Sequence, residues 1–162
     1  MEYLDVVDEQ NRVIDQRPRK EVHEKGLPHR TVMFFVRSPE GKYLVTKRSE
    51  DKEFFPGYWS VVMGGHVQAS ESYEASLDKE MREEIGVKGD YKELGSFVKD
   101  IPEETEHVKL YEVIVEPDDI ELLDKEFKKG EFWDKDMIIE ELDVEVDKRK
   151  FLPETEIVLK YL

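Results

Sequence analysis

The chain has no cysteine. Disulfides, thiolate metal sites and thiol nucleophiles are therefore excluded. It also lacks any apolar run near the roughly 20 residues that a membrane-spanning helix needs. Its opening, MEYLDVVDEQ, is no signal peptide. A cytoplasmic location is the expectation. Positive charge is scarce: 25 Lys and Arg stand against 40 Asp and Glu, a net charge of -15. That balance speaks against sequence-independent binding of nucleic acid polymers or anionic membranes. It leaves a small phosphate-bearing substrate open, because a bound cation reverses the local field. Plentiful Lys and Glu suit a hot or saline habitat as well as an ordinary acidic protein. Repeats, low-complexity tracts and linkers are absent as well, and 162 residues fit a single domain spanning 1–162.

What is present concentrates in one stretch, Gly65 to Val87, GHVQASESYEASLDKEMREEIGV. Gly64 and Gly65 give a main chain that can turn sharply and come close to a ligand. Ser70 or Ser72 can cap the helix that follows, and Gly86 is a fitting stop. Leu77, Met81 and Ile85 recur every four residues and form one apolar stripe. Glu80, Glu83 and Glu84 fall on a neighbouring face, within roughly 100° of arc. Carboxylates that close repel one another and weaken the helix unless water or a cation neutralises them. Mg²⁺ sits on a few carboxylates plus substrate phosphates. A surface helix that happens to be acidic explains Glu83-Glu84, but not the joint spacing of Gly, Glu, Glu-x-x-Glu-Glu and Gly.

This stretch resembles the signature box of the Nudix hydrolases, G-x5-E-x7-R-E-U-x-E-E-x-G-U, where U is bulky and aliphatic. Gly65, Glu71, Glu80, Met81, Glu83, Glu84, Gly86 and Val87 match, and Lys79 stands where the family has Arg. The lead-in Pro56-Gly57-Tyr58-Trp59 resembles the family's as well. The resemblance implies cleavage of a diphosphate bond in a nucleoside diphosphate linked to another moiety, with Mg²⁺ or Mn²⁺ and an attacking water. It implies metal ligation by Glu80, Glu83 and Glu84, foremost Glu84 and Glu80, with the Gly65 carbonyl as a backbone ligand. Glu80 or Glu83 would double as general base, and Glu71 would support the loop–helix junction. Lys79 supplies the charge of the family's Arg but not its bidentate fork, and a solvated lysine is its plain alternative. The implied partners are a small-molecule diphosphate and, since family members are often dimers, a second copy.

The remaining elements read as follows. Residues 3–14 form a hairpin and Arg19 to Lys25 a short helix closed by Gly26. Thr31 to Val36 is a buried strand, Lys42 to Lys47 a second, and Trp59 to Met63 a third. Two more run from Tyr91 to Val98 and from Val108 to Val115, around an acidic loop, Asp100 to Glu106. Asp118 to Lys129 reads as a helix stopped by Gly130, Phe132-Trp133 as a short strand, and Asp136 to Leu142 and Pro153 to Leu162 as helices. The mixture predicts an α/β fold with a mixed sheet between helices, which the Nudix α/β/α sandwich fits as the resemblance implies.

A second resemblance runs through RPRKEVHEKGLPHRTVMFFV, KYLVTKRS, FFPGYWS and GGHVQ. It is similar to type 1 isopentenyl diphosphate isomerase, a Nudix-fold enzyme that binds a metal with histidines and glutamates. His29 and His66 fall where two of its ligands lie, His23 less securely, and Glu104 and Glu106 resemble its acidic pair. Gly64 occupies the place of its catalytic cysteine. His29 is as well read as a satisfied structural histidine, and His107 as a surface residue. Trp59 suits a core, while Phe54, Phe55 and Tyr58 could stack on a base or an isoprenoid. Glu126, Glu131, Glu140 and Glu141 could hide a further ligand, with a solvated face as the plain reading. Beside the hydrolase stand two alternatives: an isomerase-like protein and a non-catalytic binder of diphosphate ligands. The missing cysteine disfavours the first and the three repelling glutamates disfavour the second.

Overall fold

The apolar run at Thr31–Val36 becomes the strand around which the fold is laid. In the computed structural model, which describes residues 1–52, 55–122, 127–143 and 151–162, it lies within strand β3, His29–Arg37. One edge of β3 pairs in parallel with β8, Glu104–Ile114, from His29↔Glu106 to Arg37↔Ile114. The other edge is shared end to end by three antiparallel partners: β1 (Tyr3–Val7) at His29, β6 (Met63–His66) at Thr31 to Phe34, and β4 (Tyr43–Arg48) at Arg37. β2 (Val13–Pro18) extends β1, β5 (Trp59–Ser60) and β9 (Phe127–Trp133) pair with β4, and β7 (Asp90–Ile101) closes the far side on β8.

Because side chains alternate along a strand, β3 feeds two cores. Val32, Phe34 and Val36 pack with Leu77, Met81 and Ile85, the predicted stripe of helix α2, Tyr73–Ile85. Met33 and Phe35 pack on the other face with Trp59, Val61, Val108, Leu110 and Trp133. Ile138 of α3 (Lys135–Asp143) and Val158 of α4 (Glu154–Val158) join them. Helices therefore cover both faces of a mixed sheet, the α/β/α sandwich expected. The short helix α1, Arg19–Lys25, buries Val22 against Leu4 and Val6. Among the described residues no helix is long and apolar enough to cross a membrane.

Four local expectations are corrected. The acidic loop 100–106 is instead the tip of a hairpin, with Ile101 paired to Glu104, so Glu104 and Glu106 are strand residues on one face. The helix expected from Asp118 is a short 3₁₀ turn, Pro117–Asp119. By Phe127 the chain is strand β9, because pairing with β4 satisfies an otherwise open sheet edge, and residues 123–126, Glu126 included, lie outside the described ones. The single strand Trp59–Met63 divides into β5 and β6, which pair with β4 and β3 respectively. His107 is buried, since β8 lies alongside β3 and Tyr73 on α2 hydrogen-bonds to the His107 carbonyl. Phe54 also lies outside the described residues.

Gly64 sits opposite Met33 with no room for a side chain. A Cβ there would lie 2.1 Å from the Val32 carbonyl oxygen and 3.1 Å from Met33 Cα. Relief needs movement of the β3 main chain, which is fixed on both edges. Gly64→Ala and Gly64→Cys should each cost about 1–3 kcal/mol of stability. Urea denaturation of the purified variants checks this, and midpoints equal to the parent's would refute the packing account.

Candidate functional site

The turn after β6 delivers the chain to α2. Ser72 caps that helix by accepting from Ala75 N–H at 3.1 Å, and Gly86 ends it at φ 71°. Ser70 is held differently, with its N–H donated to Asp5 Oδ2. The helix phase set by Leu77, Met81 and Ile85 fixes where the predicted glutamates go. Glu80 is half-buried and lies against Gly65: a Cβ on Gly65 would be 2.2 Å from Glu80 Oε1 and 2.4 Å from its Cδ. Glu84, one turn on, is 5% exposed, whereas Glu83 faces solvent and Lys79 is half-buried. Glu71 stands just before the cap with a buried, unbonded Oε2. Of the later glutamates, Glu131 accepts from Trp133 Nε1–H, Glu140 is exposed and Glu141 half-buried.

Directly behind this, on the other face of the sheet, stands a second group. Gly65 faces α2, so its neighbour His66 points the opposite way. Register puts His66 opposite Thr31, and His29 opposite Glu106. The rings of His29 and His66 stack with centroids 5.2 Å apart, and His23 from α1 approaches both at 5.5 and 5.0 Å. Two overlapping sets offer ligand atoms that all lie within 4.8 Å of one another: His23, His29 and His66, and His29, His66, Glu104 and Glu106. Among the described residues the glutamates of α2 are not drawn together that closely.

The protonation of His29 follows from its partners. Its Nδ1 lies 2.9 Å from the Leu27 carbonyl, which can only accept, so Nδ1 carries a proton. Nε2 then turns to Glu106 Oε2 at 3.5 Å, while His66 Nε2 stands 4.0 Å from the same oxygen. Both Nε2 atoms are buried without a hydrogen-bond partner. Two ring nitrogens and a carboxylate oxygen thus surround one point at distances too long for good hydrogen bonds. Thr31 Oγ1 donates to Glu106 Oε2 and helps to aim it. The donor set suits a borderline divalent ion such as Zn²⁺ better than Mg²⁺, which prefers oxygen.

Neither Thr31 nor Lys99 was singled out in the sequence. Lys99 on β7 is opposite Glu106 in register, and only that pairing across a hairpin reveals it. Burial pushes His66 down to about 3. Burial opposes charge on His29 too, but the Glu106 carboxylate and the Leu27 carbonyl outweigh it and raise the pKa. Burial works against ionised Glu106, yet His29, Lys99 and Thr31 hold it below the usual carboxylate range. Burial and then the nearby His29 depress His23.

These shifts carry signs for stability. A His depressed in the fold loses stability as pH falls below its unfolded value of 6.5, because only the unfolded chain takes up the proton there. A raised one contributes stability below 6.5 that disappears as pH rises through its folded value. In metal-free buffer, His66→Gln should therefore flatten the acid side of the stability curve and His29→Gln should steepen it. Urea midpoints from pH 4 to 8 measure this; parallel curves for the two variants would contradict the assignment.

The comparisons with known proteins agree with this architecture. The NUDIX domain family matches residues 27–155. A Nudix hydrolase of Yersinia pestis, described as uncharacterized, is 42% identical over 89 residues, 55% of this chain and 49% of its own length. One from Streptomyces coelicolor, described likewise, is 41% identical over 88 residues, 54% of this chain and 49% of its own. The chain thus spans about half the length of these curated relatives. The crystal structure of DR0079 from Deinococcus radiodurans superposes with a TM-score of 0.78 at 25% identity, covering 98% of both chains. The NUDIX domain of Shewanella oneidensis NrtR, solved with ADP ribose, gives 0.62 at 14% identity over 81% of this chain and 83% of its own, a likeness of fold. With its family match running through the strands, the box and the helix that build the site, this chain belongs to the Nudix family.

Proposed function

We propose that residues 1–162 act as one Nudix domain that hydrolyses a diphosphate bond in a nucleoside diphosphate linked to another moiety, with a divalent metal held by the box. The observation that carries this reading is the contact between the Gly65 main chain and the Glu80 carboxylate, where not even a methyl group would fit. A glycine backbone and a helical carboxylate that close form a cradle of oxygen donors, and Glu84 adds a rigid, buried one a turn away. This set fits Mg²⁺ or Mn²⁺. Such an ion supplies charge neutralisation of the diphosphate and a lowered pKa for a bound water.

The chain's own residues do the rest. Glu80 and Glu84 are ligands on a helix whose phase is locked by Leu77, Met81 and Ile85. Exposed Glu83 is free to turn towards an attacking water and accept its proton, and Glu80 is the alternative base. Lys79, on the preceding position of the helix, contributes charge beside Glu80 and Glu83. Glu71, with its buried carboxylate oxygen, braces the junction between turn and helix. The ADP ribose bound by the Shewanella domain supports the nucleoside diphosphate class of substrate.

The histidine and glutamate group behind the box favours a second ion centre, formed by His29, His66, Glu106 and Glu104 with His23 above them. It supports the isomerase-like frame read from the sequence. Isomerisation through a cysteine stays disfavoured, since the chain has none and Gly64 has no room for its side chain.

Two tests follow. Release of phosphate-containing products should be followed over nucleoside triphosphates, sugar nucleotides, dinucleoside polyphosphates and isopentenyl diphosphate with Mg²⁺ or Mn²⁺. Glu84→Gln and Glu83→Gln should each lose at least roughly a hundredfold in kcat, the size of a lost ligand or base. Near-parental turnover in both would sink the mechanism. Separately, calorimetric titration of Zn²⁺ into protein saturated with Mg²⁺ should reveal one site that disappears in the His29→Gln/His66→Gln double variant. Unchanged binding in that variant would remove the second centre.

A further inference from the structure

Lys99 is 5% exposed, and its ammonium lies among three carboxylates: Glu104 Oε1 at 2.8 Å, Glu106 Oε1 at 3.4 Å and Glu154 Oε2 at 3.5 Å. Two of these belong to the histidine and glutamate centre. The third comes from α4, more than forty residues away in sequence, and is itself buried. Glu106 is divided between two claims. Its Oε1 faces Lys99, and its Oε2 faces Thr31 and the unbonded Nε2 atoms of His29 and His66. Buried Glu106 beside half-buried Glu104 is costly without a cation. A lysine that fully neutralised the pair would in turn repel an incoming ion.

We propose that Lys99 is a positioning residue that serves as the centre's resident cation, and that Glu154 sets how strongly it competes. This rests on the reading of His29, His66, Glu104 and Glu106 as an ion centre. Lys99 neutralises Glu104 and Glu106 when no ion is bound and turns Glu106 so that Oε2 faces the histidines. Glu154 draws off part of the ammonium's charge, so the two ligand carboxylates stay negative enough to accept a divalent ion. Affinity at the centre is then a balance of two opposed residues, neither of which touches the ion.

That balance has a signature that simple loss of packing lacks: the two substitutions move affinity in opposite directions. Lys99→Met keeps the stem and removes the competing charge, so Zn²⁺ should bind about tenfold tighter or more, in line with the effect of one charge at this range. Glu154→Gln leaves the ammonium to lean wholly on Glu104 and Glu106, and Zn²⁺ should bind at least about threefold weaker. The 162-residue chain is titrated with Zn²⁺ by calorimetry in excess Mg²⁺. Melting with and without Zn²⁺ is the second readout: Lys99→Met should melt lower than the parent without Zn²⁺ and gain more from its addition. If Lys99→Met needs the ion to fold, Lys99→Gln is measured in its place, and rescue of folding by Zn²⁺ itself supports the resident-cation role. Weaker Zn²⁺ binding in both variants, or unchanged binding in both, would overturn the proposal while leaving the ion centre standing. No histidine-dependent Zn²⁺ site in the parent would overturn the ion centre itself.

Discussion

Everything at the site depends on how tightly β6 is held. At Gly64 the main chain lies against the Val32 carbonyl of β3, and at Gly65 it lies against the Glu80 carboxylate of α2. No other residue type allows both approaches at once, because any Cβ would enter space already filled. The strand therefore works as a thin partition. The oxygen donors of α2 stand on one side of it and the imidazoles on the other. His66 is aimed at the second group by the same alternation that leaves Gly65 bare to the first.

The two groups illustrate different ways of keeping charged side chains in a fold. On α2 the carboxylates are graded by exposure, Glu84 buried, Glu80 halfway and Glu83 in water. Repulsion within the run is thereby eased by solvent at one end. Behind the sheet there is little water to help. Charge is balanced there by Lys99 and by a hydrogen bond from Thr31, while burial keeps His66 a neutral donor of a lone pair and Glu106 favours the charged form of His29. The first arrangement suits an ion that keeps part of its hydration, and the second one that is stripped and held by nitrogen.

Much of this was legible in the residues. The stripe Leu77, Met81 and Ile85 gave the helix phase, Gly86 its end, and Ser72 was one of two caps foreseen. The pairing of His29 and His66 with Glu104 and Glu106 came from resemblance, and the geometry brings those four together. What stayed hidden has one physical cause. Register across a sheet is set by partners distant in sequence, and a local pattern does not encode them. So Asp100 to Glu106 read as an acidic loop when it turns back as a hairpin, His107 read as surface when it is covered, and Lys99 drew no notice at all. Asp118 to Lys129 failed for a related reason: helix-forming residues yielded at Phe127 to an open edge of β4 that needed a partner.

The parallel pairing of β3 with β8 also bears on how the molecule comes together. Thr31 and Glu106, whose side chains meet behind β6, are 75 positions apart in the chain. A parallel neighbour cannot be reached through a tight turn, so that meeting waits until the β7–β8 hairpin, a local structure, has docked on β3. Before then His29 has no carboxylate opposite it, and the group proposed to hold an ion is only partly formed. The four side chains are consequently brought together only by long-range pairing, and their meeting is a mark that the sheet has closed.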